Sequence, residues 1–548
     1  MKKTLFTCLI CLMASLTGVA QDRIFIVTDR STYIAGDLVF CSVYALDQEG
    51  RNDGFSTVSY LELISADGTL TEAKIGLFNG RGAGSFRIPA NAPTGHYRLL
   101  GYTARSSASL EGSSILTVFN TTSTARVNGG VEFASAGSYQ PEQRKNLDQQ
   151  GNLRLSFPVH VQQGREATLV IESQEQDAEL VVSVYHEDDL PSCTPVTLRE
   201  FLKDAKPQAG SRSGEYEGEI IHASVEGLAD TGESDDSPEH VTAFLSTAGS
   251  LGNIYVGKPA GDGQVRFYTG SIYGDRELVC EVVSMYGKSC HISIKSPFTR
   301  PNPGELPVLQ LNAAQRGDLV SRKASLKEYA QQELDTLVQF MPKREDLLLE
   351  GLRYKRYHLD DYNRFPTIQE ICTEFIPELK FGRNGGQWRL RLNASDATSS
   401  RRYLLDNILV LMDGVVITNH GMLADFDAML LEDIDIYSEP IAMGSLSFNG
   451  VVNFVSKKNY VTALPFPSNT QVIDYKGLSY PVAYLGNAPA GRDLRQLLYW
   501  NPGLELKSFQ NQRIQIKTPD YSGKFRIVVQ GRKADGSVLY TEHLFQVE

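Results

Sequence analysis

Cysteines are few in this sequence, and their spacing matches neither a zinc site nor a disulfide-rich framework. Two of the seven fall in an apolar N-terminal segment, which leaves Cys41, Cys193, Cys280, Cys290 and Cys372. Cys280 and Cys290 lie symmetrically about a predicted hairpin turn at 285–288, so a disulfide between them is one interpretation. Two small residues on separate strands are the other, and the sequence does not decide between them.

An excess of positive charge is also missing. Lys and Arg number 53 against 65 Asp and Glu, which gives a formal net charge of −12. Binding to a phosphate backbone needs clustered cations, so this balance argues against a nucleic-acid partner. After the N-terminus, no stretch reaches the ~20 apolar residues that a membrane-spanning helix needs. We therefore expect no nucleic acid and no transmembrane segment in the mature chain.

Catalytic motifs are absent as well. No Gly-x-Ser-x-Gly nucleophile elbow occurs, and the nine histidines are scattered. His186-Glu187-Asp188-Asp189 has the residue types of a metal site, but its place between a strand and a proline favours an ordinary acidic turn. The glycine-rich run 80–84 lacks the lysine and helix of a phosphate-binding loop. We predict that the protein is not an enzyme and has no catalytic residue, no cofactor and no metal.

The N-terminus has the pattern of a signal peptide. Lys2 and Lys3 give a positive start, residues 5–16 are apolar, and Gly18-Val19-Ala20 supplies the small residues of a cleavage site before Gln21. Neither Cys8 nor Cys11 follows the small residue that a lipoprotein signal requires, and the apolar run is too short for a membrane anchor. We expect residues 1–20 to be removed and the chain to be exported.

Residues 24–119 alternate as β-strands do, with turn signals about every eight to twelve residues, which indicates a β-sandwich. One strand–turn–strand pattern then occurs three times, with turn glycines Gly95, Gly274 and Gly523 nine positions after the first strand residue. We predict that each connection crosses a sandwich and that its glycine takes a positive φ. Three copies predict three related sandwich modules, with chance similarity between strands as the alternative.

The hydrophobic period becomes helical after Ser325. Ser325–Glu328 and Thr367–Glu370 are capping boxes, each followed by an apolar stripe that ends at a proline. The first stripe extends from Leu326 to Met341, and the second places Cys372 against a core. A mixed α+β domain is therefore predicted.

The expected fold class is mainly β and multidomain, with several sandwiches and one small α+β domain. The predicted segments are a signal peptide at 1–20, a β-sandwich at 21–120, a linker at 121–150, a β domain at 151–210, a β-sandwich at 211–300, the α+β domain at 325–460 and a C-terminal β-sandwich at 461–548. We also expect residues 21–120 to fold alone, because they carry their own strand set and precede a polar linker.

The first module resembles the second macroglobulin (MG2) domain of the alpha-2-macroglobulin family. The resemblance rests on Asp29–Tyr33, Ala35–Asp37, Gly84–Phe86 and Pro93–Leu99, and it covers roughly 100 residues. Full members of that family carry a thioester motif of Cys, Gly, Glu and Gln, and no such run exists here. The resemblance therefore implies an immunoglobulin-like or macroglobulin-like sandwich without thioester protease trapping. The middle module, 211–300, resembles a carboxypeptidase-regulatory-like domain.

Residues 365–460 resemble the plug domain of TonB-dependent outer-membrane receptors. Ile408–Val415 looks like its central strand and tight turn, and Leu431–Tyr437 and Asn449–Val455 look like its later strands. The resemblance implies structural turns at Asp413, Gly414, Gly444, Asn449 and Gly450. A receptor barrel needs about 22 strands of about ten residues, and fewer than a hundred residues follow Tyr460. We therefore expect a plug-like domain without a barrel.

This combination of modules resembles envelope proteins of Bacteroidota. It implies a non-enzymatic binding or scaffolding protein, exported to the periplasm or associated with the outer membrane or cell surface. The expected partners are envelope proteins, with an outer-membrane transporter as one candidate. An accessory role in TonB-dependent uptake is the alternative, and a degenerate protease inhibitor without a thioester is a weaker one. Residues 21–27 show no acidic, hydrophobic partner-binding box, which favours the binding or scaffolding function.

Overall fold

The computed structural model describes most of the chain and divides it into two compact units. It describes residues 22–133, 146–173, 177–187, 190–204, 214–228, 240–249, 252–284, 290–312, 315, 317–323, 325, 337–341, 343, 347–395, 402–458, 461, 464–533 and 535–548. Unit 1 comprises 1–218, 298–343 and 478–548, and unit 2 comprises 219–297 and 344–477. The predicted signal peptide lies outside the described residues.

The first module of unit 1 is a β-sandwich. Its strands are β1 (Arg23–Thr28), β2 (Thr32–Ile34), β3 (Leu38–Leu46), β4 (Val58–Ser65), β5 (Gly68–Gly76), β6 (Arg81–Arg87), β7 (Gly95–Tyr102) and β8 (Ser114–Phe119). One sheet has the order β1-β3-β6 and the other β2-β8-β7-β4-β5. Their inner faces enclose a core that includes Val39, Leu61 and Leu99. Both faces of β3 are covered, because every residue from Leu38 to Leu46 is buried.

The second module of unit 1 is assembled from two distant parts of the chain. Its early strands are β10 (Leu153–Ser156), β11 (His160–Val161), β12 (Glu166–Ser173) and β13 (Ala178–His186), and its late strands are β34 (Leu497–Leu506), β35 (Asn511–Lys517), β36 (Gly523–Lys533) and β37 (Val538–Val547). The sheets have the orders β10-β12-β35 and β11-β37-β36-β13-β34. The segments 151–210 and 461–548, which we predicted as separate domains, are therefore two halves of one sandwich.

These two sandwiches share an apolar interface. Phe25 and Phe40 from the first pack with Trp500 and Tyr540 from the second, and a short helix, α1 (Leu198–Asp204), adds Phe201. Phe25 and Phe40 are each 3% exposed. The prediction that 21–120 folds alone remains a prediction, and the structure adds that such a fragment would expose this apolar face.

Unit 2 contains a third sandwich. Its strands are β14 (Glu219–Glu226), β15 (Val241–Thr247), β16 (Ile254–Gly257), β17 (Gln264–Gly270), β18 (Asp275–Ser284), β19 (His291–Ile294) and β32 (Thr470–Lys476), in sheets ordered β17-β14-β19 and β16-β15-β18-β32. The strand β32 belongs to the segment 461–548, so it too lies apart from the C-terminal sandwich that we predicted. Cys280 lies in β18, Cys290 directly precedes β19 of the other sheet, and both are buried without a disulfide between them. The predicted hairpin turn between them lies outside the described residues.

The α+β domain of unit 2, residues 347–461, precedes β32 in the chain and is separated from β19 by residues 298–343 of unit 1. Its main sheet has the order β22-β28-β31-β26-β27, from β22 (Lys355–His358), β26 (Leu409–Met412), β27 (Val415–Val416), β28 (Leu431–Tyr437) and β31 (Val451–Ser456). Smaller sheets pair β23 (Leu379–Asn384), β24 (Gln387–Ser395) and β25 (Arg402–Leu405), and also β29 (Ile441–Met443) and β30 (Leu446–Phe448). The helices are α2 (Ile368–Glu374) and α3 (Gly421–Ala424), and 3-10 turns cover Leu359–Asp361 and Ala428–Leu430.

Several details of this domain agree with the sequence pattern. Val410 and Val452 are direct partners in the parallel pair β26–β31, and the helix α2 packs on that sheet through Ile371. Thr367 and Glu370 form the predicted capping box at the start of α2. Cys372 lies on the buried face of this helix, and burial raises the pKa of its thiol to about 12. A thiol with that pKa stays protonated and unreactive.

The first predicted helix is wrong at its end. Residues 326–336 lie outside the described residues, but Val338–Phe340 forms a strand, β21, that pairs with β33 (Val482–Tyr484) in unit 1. Helical residues are found earlier, at 317–323. The predicted linker 121–150 also contains structure, because β9 (Val131–Phe133) pairs in parallel with β20 (Leu309–Leu311). Residues 134–145 lie outside the described residues.

The three repeated connections cross sandwiches as predicted. The strand pairs β6–β7, β17–β18 and β35–β36 each place consecutive strands in opposite sheets. Only Gly274 has a positive φ, of 74°. Gly95 and Gly523 are needed for space instead: a Cβ would lie 2.6 Å from Val127 Cγ2 and 2.8 Å from His186 Nε2. The positive φ predicted at Gly95 and Gly523 is therefore wrong.

The protein is a mainly β, multidomain chain of β-sandwiches with one small α+β domain, as the sequence predicts. Among the residues that the structure describes, no helix is both long enough and apolar enough to span a bilayer.

Candidate functional site

The Asp413–Gly414 turn joins β26 to β27 and is buried. Both residues have positive φ, 47° and 75°, as in a type I′ hairpin turn. The Asp413 carboxylate is 1% exposed and accepts hydrogen bonds from the Ser456 amide at 2.7 Å, the Ser456 hydroxyl at 2.6 Å and the Val461 amide at 3.3 Å. One carboxylate thus connects this turn, which we call the buried turn, to the end of β31.

The buried turn packs against the third sandwich, within unit 2. The Gly249 amide donates to the Asp413 carbonyl at 2.8 Å, and a Cβ on Gly414 would lie 2.4 Å from the Gly249 oxygen. Beside it, the Thr418 hydroxyl donates to the Glu281 carboxylate at 2.5 Å. Burial raises the pKa of Glu281 to about 7. Apolar side chains such as Phe244 and Leu411 complete the contact. Hydrogen bonds and apolar packing around the buried turn therefore hold the α+β domain to the sandwich.

The other three predicted turn residues have different roles. Gly444 has a φ of 57° and follows β29 in the β29–β30 hairpin. Asn449 and Gly450 connect β30 to β31, which lie in different sheets, and neither has a positive φ. Gly450 is required by close packing instead, since a Cβ there would lie 2.7 Å from the Tyr437 carbonyl oxygen. The predicted tight turn at Asn449–Gly450 is therefore a connection between sheets.

A second hairpin in the same domain is exposed. Strands β23 and β24 are joined by Gly385 and Gly386, whose φ values of 57° and 85° also match a type I′ turn. All residues from Arg383 to Gln387 are exposed. We call residues 379–395 the basic hairpin, because they contain four cations, Lys380, Arg383, Arg389 and Arg391, and no acidic residue.

The two faces of the basic hairpin differ sharply. The strand register places Leu379, Phe381, Arg383, Trp388, Leu390 and Leu392 on one face. Leu379, Leu390 and Leu392 of that face are buried in the core of the domain. The other face carries Lys380, Gly382, Asn384, Gln387, Arg389 and Arg391, whose five side chains all carry N–H donors. We call this second set the donor face, and it contains no carboxylate.

Most cations of the basic hairpin have no anionic partner. Arg391 pairs with Asp406. Lys380, Arg383 and Arg389 form no ion pair with any residue that the structure describes, and Arg383 instead stacks over the Trp388 ring at 4.7 Å. Of the four cations, only Arg391 is compensated by a described carboxylate, and the remaining like charges repel one another.

His420 supports the hairpin from beneath. The Leu390 amide donates to His420 Nδ1 at 2.9 Å, so this nitrogen must be unprotonated. Burial, together with the nearby Arg389 guanidinium, lowers the pKa of His420 to about 4. The imidazole is therefore neutral at physiological pH and adds no charge to the hairpin.

Unit 1 contains a second candidate, a cleft of about 550 Å³ between the first two sandwiches. Four cations and four carboxylates line it: Arg51, Lys507, Arg532, Lys533, Asp177, Glu179, Glu505 and Asp535. At one side, Arg532 donates to Asn52 Oδ1 at 3.0 Å, and burial lowers the pKa of this guanidinium. Because the lining charges balance, the cleft selects a ligand of one sign less clearly than the basic hairpin does.

The described residues contain few side-chain pairs that could act as a nucleophile and its base. Cys193 Sγ lies 3.9 Å from His96 Nδ1, but burial lowers the pKa of His96 to about 4, so the imidazole would be a poor base. His186 packs against Tyr521 and Phe525, and Glu187 pairs with Arg526, while Asp188 and Asp189 lie outside the described residues. No group of three potential metal-ligating side chains occurs among the described residues.

Sequence analysis missed the basic hairpin. The signal is present, because Lys380 to Arg391 alternates cations with apolar residues around Gly385-Gly386. An alternating pattern about a two-glycine turn predicts a hairpin with one charged face. The net charge of −12 for the whole chain conceals this local excess of cations.

Comparisons with known proteins identify no family. No protein-family model matches the sequence, and no curated protein is similar to it. Among solved structures, trypsin-activated alpha-2-macroglobulin from Escherichia coli is 9% identical with a TM-score of 0.24, over 96% of this chain and 41% of its own. For Salmonella alpha-2-macroglobulin reacted with methylamine the values are 10%, 0.25, 96% and 39%. For the Yersinia pseudotuberculosis adhesin InvE they are 12%, 0.15, 50% and 60%. The chain spans less than half the length of these macroglobulins.

Proposed function

We propose that this protein is a non-enzymatic binding or scaffolding protein of the bacterial cell envelope, exported by its N-terminal segment. In this proposal the α+β domain is the protein-interaction module, and the sandwiches are the frame that carries it. The plug-like resemblance of residues 365–460 and the macroglobulin-like resemblance of the first module support an envelope function.

The basic hairpin is the observation that carries the proposal. Its donor face points away from the leucine core of the domain, and Lys380 and Arg389 on that face are exposed and unpaired within the described residues. Exposed cations that find no partner within their own domain are available to a partner that supplies negative charge. The buried turn holds the α+β domain to its sandwich, and the hairpin belongs to the domain that is held in this way.

Co-purification from native envelopes tests this function. We compare the wild-type chain, the variant Lys380→Gln/Arg389→Gln and a matched control, Arg353→Gln/Lys458→Gln. The control removes two exposed cations of the same domain that form no ion pair with a described residue. We expect cross-linked partner proteins to be lost from the hairpin variant and kept by the control. An unchanged set of partners in the hairpin variant would contradict the proposal.

The identity of the captured proteins decides between the two functions that the sequence leaves open. Recovery of an outer-membrane transporter would favour an accessory role in TonB-dependent uptake, and recovery of other envelope proteins would favour scaffolding. Recovery of proteases alone would favour the third possibility, a degenerate inhibitor.

A further inference from the structure

We propose that the donor face of the basic hairpin binds an extended protein segment that carries carboxylates at alternate positions. This inference rests on the proposed function, because it names the chemistry of the partner that the α+β domain would bind.

The spacing of the cations is the first argument. Lys380 is the direct cross-strand partner of Arg391, and Gly382 is that of Arg389. Lys380 and Arg389 are therefore diagonal neighbours, whose separation in an antiparallel pair is about 7–8 Å. In an extended peptide, residues i and i+2 lie on one face about 6.8 Å apart. Two alternate Glu or Asp side chains therefore reach both cations at once.

Space is the second argument. Gly382 follows Lys380 on the donor face, directly opposite Arg389, and has no side chain; a Cβ built there would have one neighbour within 4 Å, the Arg391 guanidinium at 3.9 Å. An extended backbone can approach the sheet at this point. Asn384 and Gln387, both exposed on the same face, offer amide groups to the peptide carbonyls and side chains.

The surrounding charges favour a narrow partner over a flat one. The α+β domain also exposes acidic residues on other elements, among them Asp360, Asp361, Glu374, Asp425 and Glu432. Asp406, which pairs with Arg391, lies beside the donor face, so a broad anionic membrane would bring its phosphates near this carboxylate as well as near the cations, and like charges would oppose that approach. A single extended segment contacts the hairpin alone. The geometry therefore selects an acidic peptide segment over a lipid surface.

Trp388 provides a probe for the test. The chain has two tryptophans, and Trp500 is 3% exposed in the core of unit 1. Trp388 lies on the hairpin with the Arg383 guanidinium 4.7 Å from its ring. Trp388 lies on the opposite face of the strand that carries Arg389, so a segment bound to the donor face should change its surroundings through the shared hairpin backbone and leave Trp500 unchanged.

The experiment titrates the full chain with an eight-residue peptide of alternating Glu and Thr, its ends blocked, while tryptophan fluorescence is recorded. The matched peptide has Gln in place of Glu. We expect saturable binding of the Glu peptide that weakens as salt rises from 50 to 500 mM, and no saturation with the Gln peptide. Lys380→Gln/Arg389→Gln should weaken the Glu peptide by about tenfold, and Arg353→Gln/Lys458→Gln by less than about twofold.

Three outcomes would overturn the inference: equal binding of the two peptides, equal loss in both variants, or binding to phosphatidylglycerol vesicles that depends on the hairpin while the Glu peptide fails to bind. The last result would assign the hairpin to a membrane. The outcome is independent of the co-purification test, because a protein partner can depend on the hairpin without presenting an alternating acidic segment.

Discussion

The α+β domain contains two hairpin turns with almost the same backbone and opposite surroundings. The buried turn has φ values of 47° and 75° at Asp413 and Gly414, and the exposed turn has 57° and 85° at Gly385 and Gly386. A Cβ on Gly414 would lie within 3 Å of three backbone atoms, and a Cβ on Gly386 would meet nothing within 4 Å. Turn type is therefore a local property, and function follows from what the turn touches.

Alanine at the two glycines gives the largest expected difference. Gly414→Ala should cost about 3–4 kcal/mol, since it adds strain at positive φ to an overpacked contact with Gly249. Gly386→Ala should cost about 1 kcal/mol, because only the backbone strain applies. Chemical denaturation of both variants measures the two values. Equal losses of stability would contradict the difference in surroundings.

Removal of the Asp413 side chain should cost slightly less than Gly414→Ala. Asp413→Ala leaves the amide of Ser456 and the amide of Val461 without the acceptor that they have in the wild type. A buried donor left unsatisfied costs about 1–3 kcal/mol, so a total of about 3 kcal/mol is expected. Asp406→Ala, which removes an exposed carboxylate of the same domain, is the control and should cost less than about 1 kcal/mol. A stability like that of the wild type for Asp413→Ala would show that the turn does not depend on this carboxylate.

Glu281 should make the contact beside the buried turn depend on pH. Its pKa is raised from 4.5 to about 7 by burial, so the folded state binds a proton more tightly than the unfolded state. The stabilisation is complete below pH 4.5 and is lost as pH rises through about 7, by up to about 3 kcal/mol. Glu281→Gln should therefore flatten the fall in stability between pH 5 and pH 8.

Glu277→Gln, an exposed change on the same strand, serves as the control and should keep the slope of the wild type. A wild-type chain whose stability does not fall between pH 5 and pH 8 would contradict the burial of an ionisable Glu281. So would a Glu281→Gln variant with the same slope as the wild type.

The sequence predicts local features of this protein well, for physical reasons. The capping box of Thr367, the strand 431–437 and the pairing of Val410 with Val452 depend on side chains a few residues apart or on a strongly apolar pattern. The turn at Asp413–Gly414 follows from the tolerance of Asp and Gly for positive φ.

Long-range assembly could not be predicted in the same way. The strand β13 pairs with β36 across more than 300 residues, and an alternating pattern identifies a strand without identifying its neighbours. The two halves of the second sandwich were therefore assigned to different domains. The basic hairpin was missed for a related reason. The net charge of the whole chain, −12, does not reveal a local excess of four cations in one hairpin.

Hydrogen–deuterium exchange of the full chain, with and without the alternating Glu peptide, tests the central claim most directly. The Gly414 amide is buried and donates to Asn453 Oδ1 at 3.2 Å, so segment 409–416 should exchange slowly in both samples. The segment 383–389, which is exposed apart from the half-buried Trp388, should exchange faster than 409–416 in the free chain and slow down when the peptide is added. Fast exchange at 409–416, or exchange at 383–389 that the peptide leaves unchanged, would contradict an account in which one turn holds the domain and the other hairpin binds its partner.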